Sequence, residues 1–341
     1  MPGARYRGGK PMKSAYLTMR IAALSACAAA AVCFALPATA AETTLRVVTF
    51  SQPDRNYPSM VMFRRFIERV NEAGKGVLKL DYIGGPSVVP LRDQMNATSK
   101  GISDMVMTFT IHQALVPEIG TVGMSEISPK EEREVGYIDL LDEAHKKIGI
   151  KVMGRTATDV GFHIFSKKPI NRMADLKNVK IRSHSGYDPF MKAIGASPIH
   201  MKISEIYPGL ERGVVQAAPF PLAATNIGIH EVICCAMADA FWPAHTVFSF
   251  INRGKWNKLS AAAQKLMLDE QAEMERFMVP KGKELKAAEM AKLQKSGVKF
   301  IGLPADEAKK WVDVANESRW AVMKKRLAPE QYAKIRKMIT R

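Results

Sequence analysis

Read for the spacing of apolar positions, the chain falls into short apolar runs separated by stretches of helical period. The run "LRVVTF" at 45–50 predicts a strand. The segment after it sets Phe63, Phe66, Ile67 and Val70 on one helical face, with Gly74 as its stop. "VLKLDYI" at 77–83 predicts the second strand, followed by a turn at Gly84, Gly85 and Pro86 and a helical run to Lys100. The third strand, "DMVMTF" at 104–109, is almost continuously apolar, the pattern of a parallel strand covered on both faces. A charged helix is expected over 130–147, then strands at 151–154 and 162–166.

The second half repeats the alternation. "NVKIR" at 178–182 predicts a strand, and "YDPFMKAIGA" a short helix with Asp188 as N-cap, Pro189 at its first position and Gly195 past its end. "SPIHM" reads as a strand, "SEIYPGLERG" as a helix capped by Ser204 and stopped by Gly213, and "VVQAAPF" and "TVFSFIN" as further strands. A long helix opens at Ser260, carries Leu266, Met267, Met274, Phe277 and Met278 in register, should kink at Pro280, and stops at Gly297. Serial alternation of this kind predicts an α/β protein built on two open sheets. Ligands of such sheets bind at the carboxyl ends of strands. Arg182 stands at such an end, where spacing alone allows either a ligand contact or a surface ion pair.

Composition adds export to this picture. The 341 residues are 47% hydrophobic and 24% charged, which is ordinary for a globular chain of about two domains. Lys10, Lys13 and Arg20 precede an alanine-rich apolar run over 21–36, and "LPATA" then places Ala38 and Ala40 at small-x-small positions. These features predict a secretory signal peptide over 1–40, cleaved near Ala40, with Met12 as an alternative start. "LSAC" at 24–27 has the form of a lipoprotein box, but the apolar run continues well past Cys27. After cleavage only Cys234 and Cys235 remain. Joining adjacent cysteines closes a strained eight-membered ring, so two separate buried thiols are expected.

Of the net charge of +17, five basic residues and no acid lie in the first 41 positions. The other charges are dispersed over helices such as "KKRLAPEQYAKIRKM", which reads as solvated faces; no nucleic-acid partner is expected. A positive surface can still steer anionic ligands. The chain has no G-x-S-x-G, H-E-x-x-H or Walker loop, and no G-x-G-x-x-G opening a helix after a strand. "HEVICC" at 230–235 hints at a metal, but adjacent cysteines on a strand point to opposite faces and zinc needs three or four converging ligands. No cofactor, no metal and no catalytic activity are expected.

Residues 171–213, "NRMADLKNVKIRSHSGYDPFMKAIGASPIHMKISEIYPGLERG", resemble the solute-binding proteins of tripartite ATP-independent periplasmic (TRAP) transporters, of the dicarboxylate-binding type. The match rests on Asp175, Leu176, Lys177, Lys180, Ile181, Arg182, Gly195, Pro198, Ser204, Glu205, Tyr207, Leu210, Gly213 and Val215. "LRVVTF", the "IGGP" turn, Asp104 and "NRGKWNKLS" extend it more thinly over the mature chain. The resemblance implies a two-domain Venus-flytrap fold, each domain a mixed sheet flanked by helices, linked by hinge strands and a long kinked helix. Domain I would be 42–160 plus 246–285, and domain II 161–245 plus 286–341. It implies a periplasmic receptor that captures a small organic acid. The ligand would pass to a small and a large TRAP membrane subunit for ion-gradient-driven uptake.

The resemblance assigns Arg182 to the ligand carboxylate, which a planar, permanently charged guanidinium grips through two parallel hydrogen bonds. Where many relatives continue "DGQEN", with an asparagine supporting that carboxylate, this chain has Phe220. Where the family often has a further arginine, it has Phe162; Arg155, seven residues earlier, is either a ligand contact or an ion pair. Phe241, Trp242, Phe109, His112 and Tyr57 lie near predicted strand ends or in loops beside them, and either line the cleft or pack the core and hinge. An aromatic cleft favours an acid with an apolar or aromatic body. The alternatives are a binding component of another transporter or of a sensor system, and a periplasmic enzyme.

Overall fold

The two runs of alternation become two sheets in the computed structural model, which describes residue 3 and residues 42–52, 57–156, 161–242 and 247–341. The strands in chain order are β1 (Thr43–Thr49), β2 (Leu78–Gly84), β3 (Met105–Phe109), β4 (Ile150–Arg155), β5 (Phe162–Ser166), β6 (Lys180–Ser183), β7 (Ser197–His200), β8 (Ala217–Pro221), β9 (Cys235–Met237), β10 (Val247–Asn252) and β11 (Lys299–Ile301). The first sheet has the order β2-β1-β3-β10-β4 and the second β11-β9-β5-β8-β6-β7. In the first, β10 runs antiparallel between β3 and β4. In the second, β5 runs antiparallel between β8 and β9. Each sheet is therefore mixed, and each takes its antiparallel strand where the chain crosses over: β5 follows β4, and β10 follows β9.

Side-chain alternation sorts the strands onto two faces. Val47, Met105 and Met107 join one core of the first sheet with Phe63 and Phe66 of the helix Pro58–Ala73. Val48 and Val106 point into the opposite core with Tyr137, Leu141 and Phe250. In the second sheet Phe162, Ile164 and Ile181 face one core, and Phe165, Ala218 and Phe220 the other.

Two helices tie the sheets together. Ala261–Lys295 is capped by Ser260, which accepts from the Ala263 N–H at 3.2 Å, and runs on through Pro280. At 1.5 Å per residue it is about 50 Å long. It gives Met267, Met274 and Met278 to the first sheet and Leu293 to the second. The helix Ala305–Arg326 places Trp311 and Ala315 on the second sheet, then Trp320 and Met323 on the first, where Ile335 and Ile339 join them.

Several local expectations are revised. The charged helix over 130–147 divides into Pro129–Glu134 and Tyr137–His145, because Gly136 adopts φ 75° and ends the first. Tyr187, not Asp188, stands at the N-cap position of the helix Asp188–Ala193, with no side-chain capping bond; the Asp188 carboxylate accepts from Ser183 Oγ at 2.6 Å and pairs with His200 Nε2 at 2.7 Å. The helix Ile206–Glu211 starts after Ser204, which caps nothing. Cys234 and Cys235 form a disulfide, against the expectation of separate thiols. β9 begins only at Cys235, so Cys234 is outside the strand and strand alternation does not hold its side chain on the opposite face. The signal peptide and its cleavage position lie outside the described residues.

Candidate functional site

β6 is short, and its alternation puts Ile181 in the core and swings Arg182 to the strand's carboxyl end. Arg182 is only 5% exposed. Its Nε donates to the Met201 carbonyl at 3.3 Å, and its guanidinium lies 5.8 Å from the ring centre of Tyr187. Among the described residues no carboxylate pairs with it. Burial lowers the Arg182 pKa, and Tyr187 opposes the shift only in part. The same burial pushes the Tyr187 hydroxyl up to about 12, which keeps it a neutral donor. His184 lies against Tyr187, ring centres 3.8 Å apart and tilted by 38°; burial and then Arg182 push it down to about 3, so it is uncharged here.

Three of the expected aromatic residues gather at this point. Trp242 lies 4.9 Å from Tyr187, Phe162 lies 5.9 Å from Tyr187 and 5.8 Å from Trp242, and Phe241 lies 5.0 Å from Trp242. The chain crossing brings them together: the Phe162 N–H donates to the Trp242 carbonyl at 2.9 Å, and the Phe241 N–H to the Phe162 carbonyl at 3.0 Å. Phe220 is on the other face of the second sheet, in the core with Phe165 and Leu210. Tyr57 packs against that core and against the first sheet's. Tyr57 and Phe109 both meet Phe50, at 5.7 and 4.6 Å.

Arg155 and His112 have other company. Arg155 is buried, and its Nε and Nη2 donate to Glu132 at 2.7 and 2.6 Å. Burial works against the charge of Arg155, yet Glu132 outweighs it and the pKa is raised. His112 Nε2 lies 2.8 Å from His145 Nε2, with both rings against Phe250 in the first sheet's core. Because His145 Nδ1 donates to the Leu141 carbonyl at 2.6 Å, its Nε2 accepts from His112. Burial pushes His112 down to about 3 and His145 to about 4, so both are neutral.

One residue escaped the reading of the sequence. Arg319, on the helix Ala305–Arg326, is 7% exposed. Its guanidinium carbon sits 4.1 Å from the Trp242 ring centre, and Nη2 donates to the Gly120 carbonyl at 3.1 Å. A signal for it was present. Trp311, Ala315, Arg319 and Met323 recur every four residues, so the arginine interrupts an otherwise apolar helical stripe.

Two mixed α/β sheets linked at two crossings and strapped by two helices, with an arginine at a strand's carboxyl end that meets no carboxylate among the described residues, have the architecture of a two-domain solute-binding protein. Residues 51–325 match the bacterial extracellular solute-binding proteins of family 7, the DctP type, and the chain belongs to that family. A solute-binding protein of Albidiferax ferrireducens is 25% identical over 280 residues, covering 76% of this chain and 79% of the relative. The fold is that of TRAP receptors of known structure. The Bordetella pertussis receptor DctP7, which binds pyroglutamic acid, superposes with a TM-score of 0.75 at 19% identity over 87% of this chain and 99% of its own. A Desulfovibrio salexigens TRAP protein with bound orotic acid gives 0.75 at 18% identity over 87% and 97%. No helix among the described residues is long and apolar enough to cross a membrane.

Proposed function

We propose that the chain is an exported, non-catalytic TRAP receptor that captures a small organic acid. It hands the acid to the small and large membrane subunits for ion-gradient-driven uptake. The observation that carries this reading is Arg182, buried with no carboxylate beside it among the described residues. A buried, uncompensated guanidinium is destabilising by several kcal/mol, and a bound carboxylate relieves that penalty with two charge-assisted hydrogen bonds. Tyr187, Trp242 and Phe162 provide an aromatic wall beside it; Phe220, which by the resemblance takes the place of an asparagine, is packed in the opposite core of the second sheet and lends no polar help. The ligand is therefore a carboxylate on an apolar or aromatic body. Pyroglutamic and orotic acids, the ligands of two proteins with this fold, are both ring carboxylic acids. The lobes that close on it are 42–160 with 246–285 and 161–245 with 286–341, residues 320–339 reaching back to strap the first lobe.

A thermal-shift panel of carboxylic acids tests this, because a ligand bound only by the folded state raises Tm. Benzoate and related monocarboxylates should raise it, by the equivalent of about 2.7 kcal/mol at a hundredfold excess over Kd. The shift should largely vanish in Arg182→Lys, which keeps the charge and loses the fork. An equal shift in the variant removes Arg182 as the anchor. Strong stabilisation by a neutral sugar removes the ligand class.

A further inference from the structure

We propose that Arg319 is a second anchor of the same site, and that the ligand it selects is an aromatic acid carrying a second anionic group. The inference rests on the reading of the Arg182 cluster as the binding site.

Arg319 has no carboxylate partner among the described residues, and its Nη1 is buried with no hydrogen-bond partner. Burial pushes its pKa down to about 10, the direction expected of a guanidinium with nothing to neutralise it. As a mere staple between its helix and the segment Pro117–Met124 it would be a poor choice. One carbonyl bond needs only a neutral donor, whereas a buried cation carries a desolvation penalty. Its placement is also built for. The guanidinium is stacked on Trp242, and a Cβ on Gly123 would overlap its Nη1, so glycine at that position leaves room for the group.

The surroundings are rich in donors and poor in acceptors. Among the described residues the buried Trp242 indole N–H has no partner, beside the Arg319 guanidinium. Tyr187 feels both Arg182 and Arg319, and so does His184, whose charge both arginines suppress. Two cations thus converge on one aromatic patch made by Tyr187, Trp242 and Phe162. A monocarboxylate compensates one of them. An aromatic ring bearing two anionic groups compensates both, offers acceptors to the orphan donors and fits its faces to the rings.

Titration calorimetry on the purified chain decides the matter, with benzoate, the three benzenedicarboxylates and 3-sulfobenzoate as probes. At least one dianion should bind about tenfold or more tightly than benzoate. Arg319→Gln should abolish that advantage, weakening the dianion about tenfold more than it weakens benzoate. Arg319→Lys, which retains charge and bulk, should keep part of the preference and carries the comparison if the glutamine variant fails to fold cooperatively. The carboxylate and sulfonate arms tell which second anion is preferred. Dianions bound no more tightly than benzoate, or equal losses for benzoate and dianion in Arg319→Gln, overturn the proposal. If Arg319→Gln erases the dianion preference while Arg182→Lys leaves benzoate binding intact, the Arg182 anchor fails and the second anchor stands. A protein that binds none of the probes overturns both.

Discussion

Arg155 and Arg182 are the same residue type at the ends of strands, and their surroundings give them opposite characters. Glu132 compensates Arg155, whereas no described acid compensates Arg182. The buried histidines follow the same logic with the sign reversed. His112 and His145 are held neutral by burial, with folded values near 3 and 4 against 6.5 when exposed. Between those limits the unfolded chain binds more protons, so stability is complete above the exposed value and is lost as pH falls toward the folded ones. Each histidine should contribute a loss of up to about 1.4 kcal/mol per pH unit in that window. Urea midpoints measured at pH 7.5 and at roughly pH 5 should show it. His112→Gln should flatten the dependence, and an unchanged slope would reject the assignment.

At the scale of elements, the helix Pro129–Glu134 is fastened on both sides. Its Glu132 meets Arg155 of β4, and its Arg133 reaches Glu275 of the long helix at 2.6 Å and the Met153 carbonyl at 2.6 Å. Gly154 lies between them at φ 146°, where any Cβ would collide with Glu275 and Arg133. These ties hold the edge of the first sheet to the helix that reaches the second. Glu132→Gln removes the carboxylate that holds the buried Arg155 and should destabilise by about 3–5 kcal/mol in urea unfolding. The double replacement Glu132→Leu with Arg155→Met, removing both charges, should recover most of that loss. A single variant as stable as the parent would show that the pair contributes nothing. The division of the expected 130–147 helix was not legible, because its apolar spacing continues across a break that Gly136 alone introduces.

For the whole molecule, the proposed receptor role has the two sheets, joined by two crossings and two strapping helices, close on a ligand without rebuilding either core. A ligand drives that closure only through its differential affinity for the closed form. Adding benzoate should therefore reduce the radius of gyration in small-angle scattering, and Arg182→Lys should show no such change. A ligand that binds tightly with no compaction would argue for a site preformed in one state. The strap over 320–339 was hidden in the sequence. The charged residues of "KKRLAPEQYAKIRKM" dominate its appearance, while Trp320, Ile335 and Ile339 mark the face that packs.

Periodicity is a local property, so the chain alone was enough to show nine of the eleven strands, the long helix, the α/β class and Arg182 at a strand's carboxyl end; β9 and β11, three residues each, are too short to carry a period. The motif over 171–213 was likewise contiguous and pointed to the family. Pairing is not local. Whether Arg155 meets an acid, whether His112 meets another imidazole, and whether Cys234 turns toward Cys235 depend on contacts that exist only after folding. Arg319 is the clearest case. Its charge looked like one more solvated position until the helix packing buried it against Trp242, where desolvation makes an unpaired cation matter.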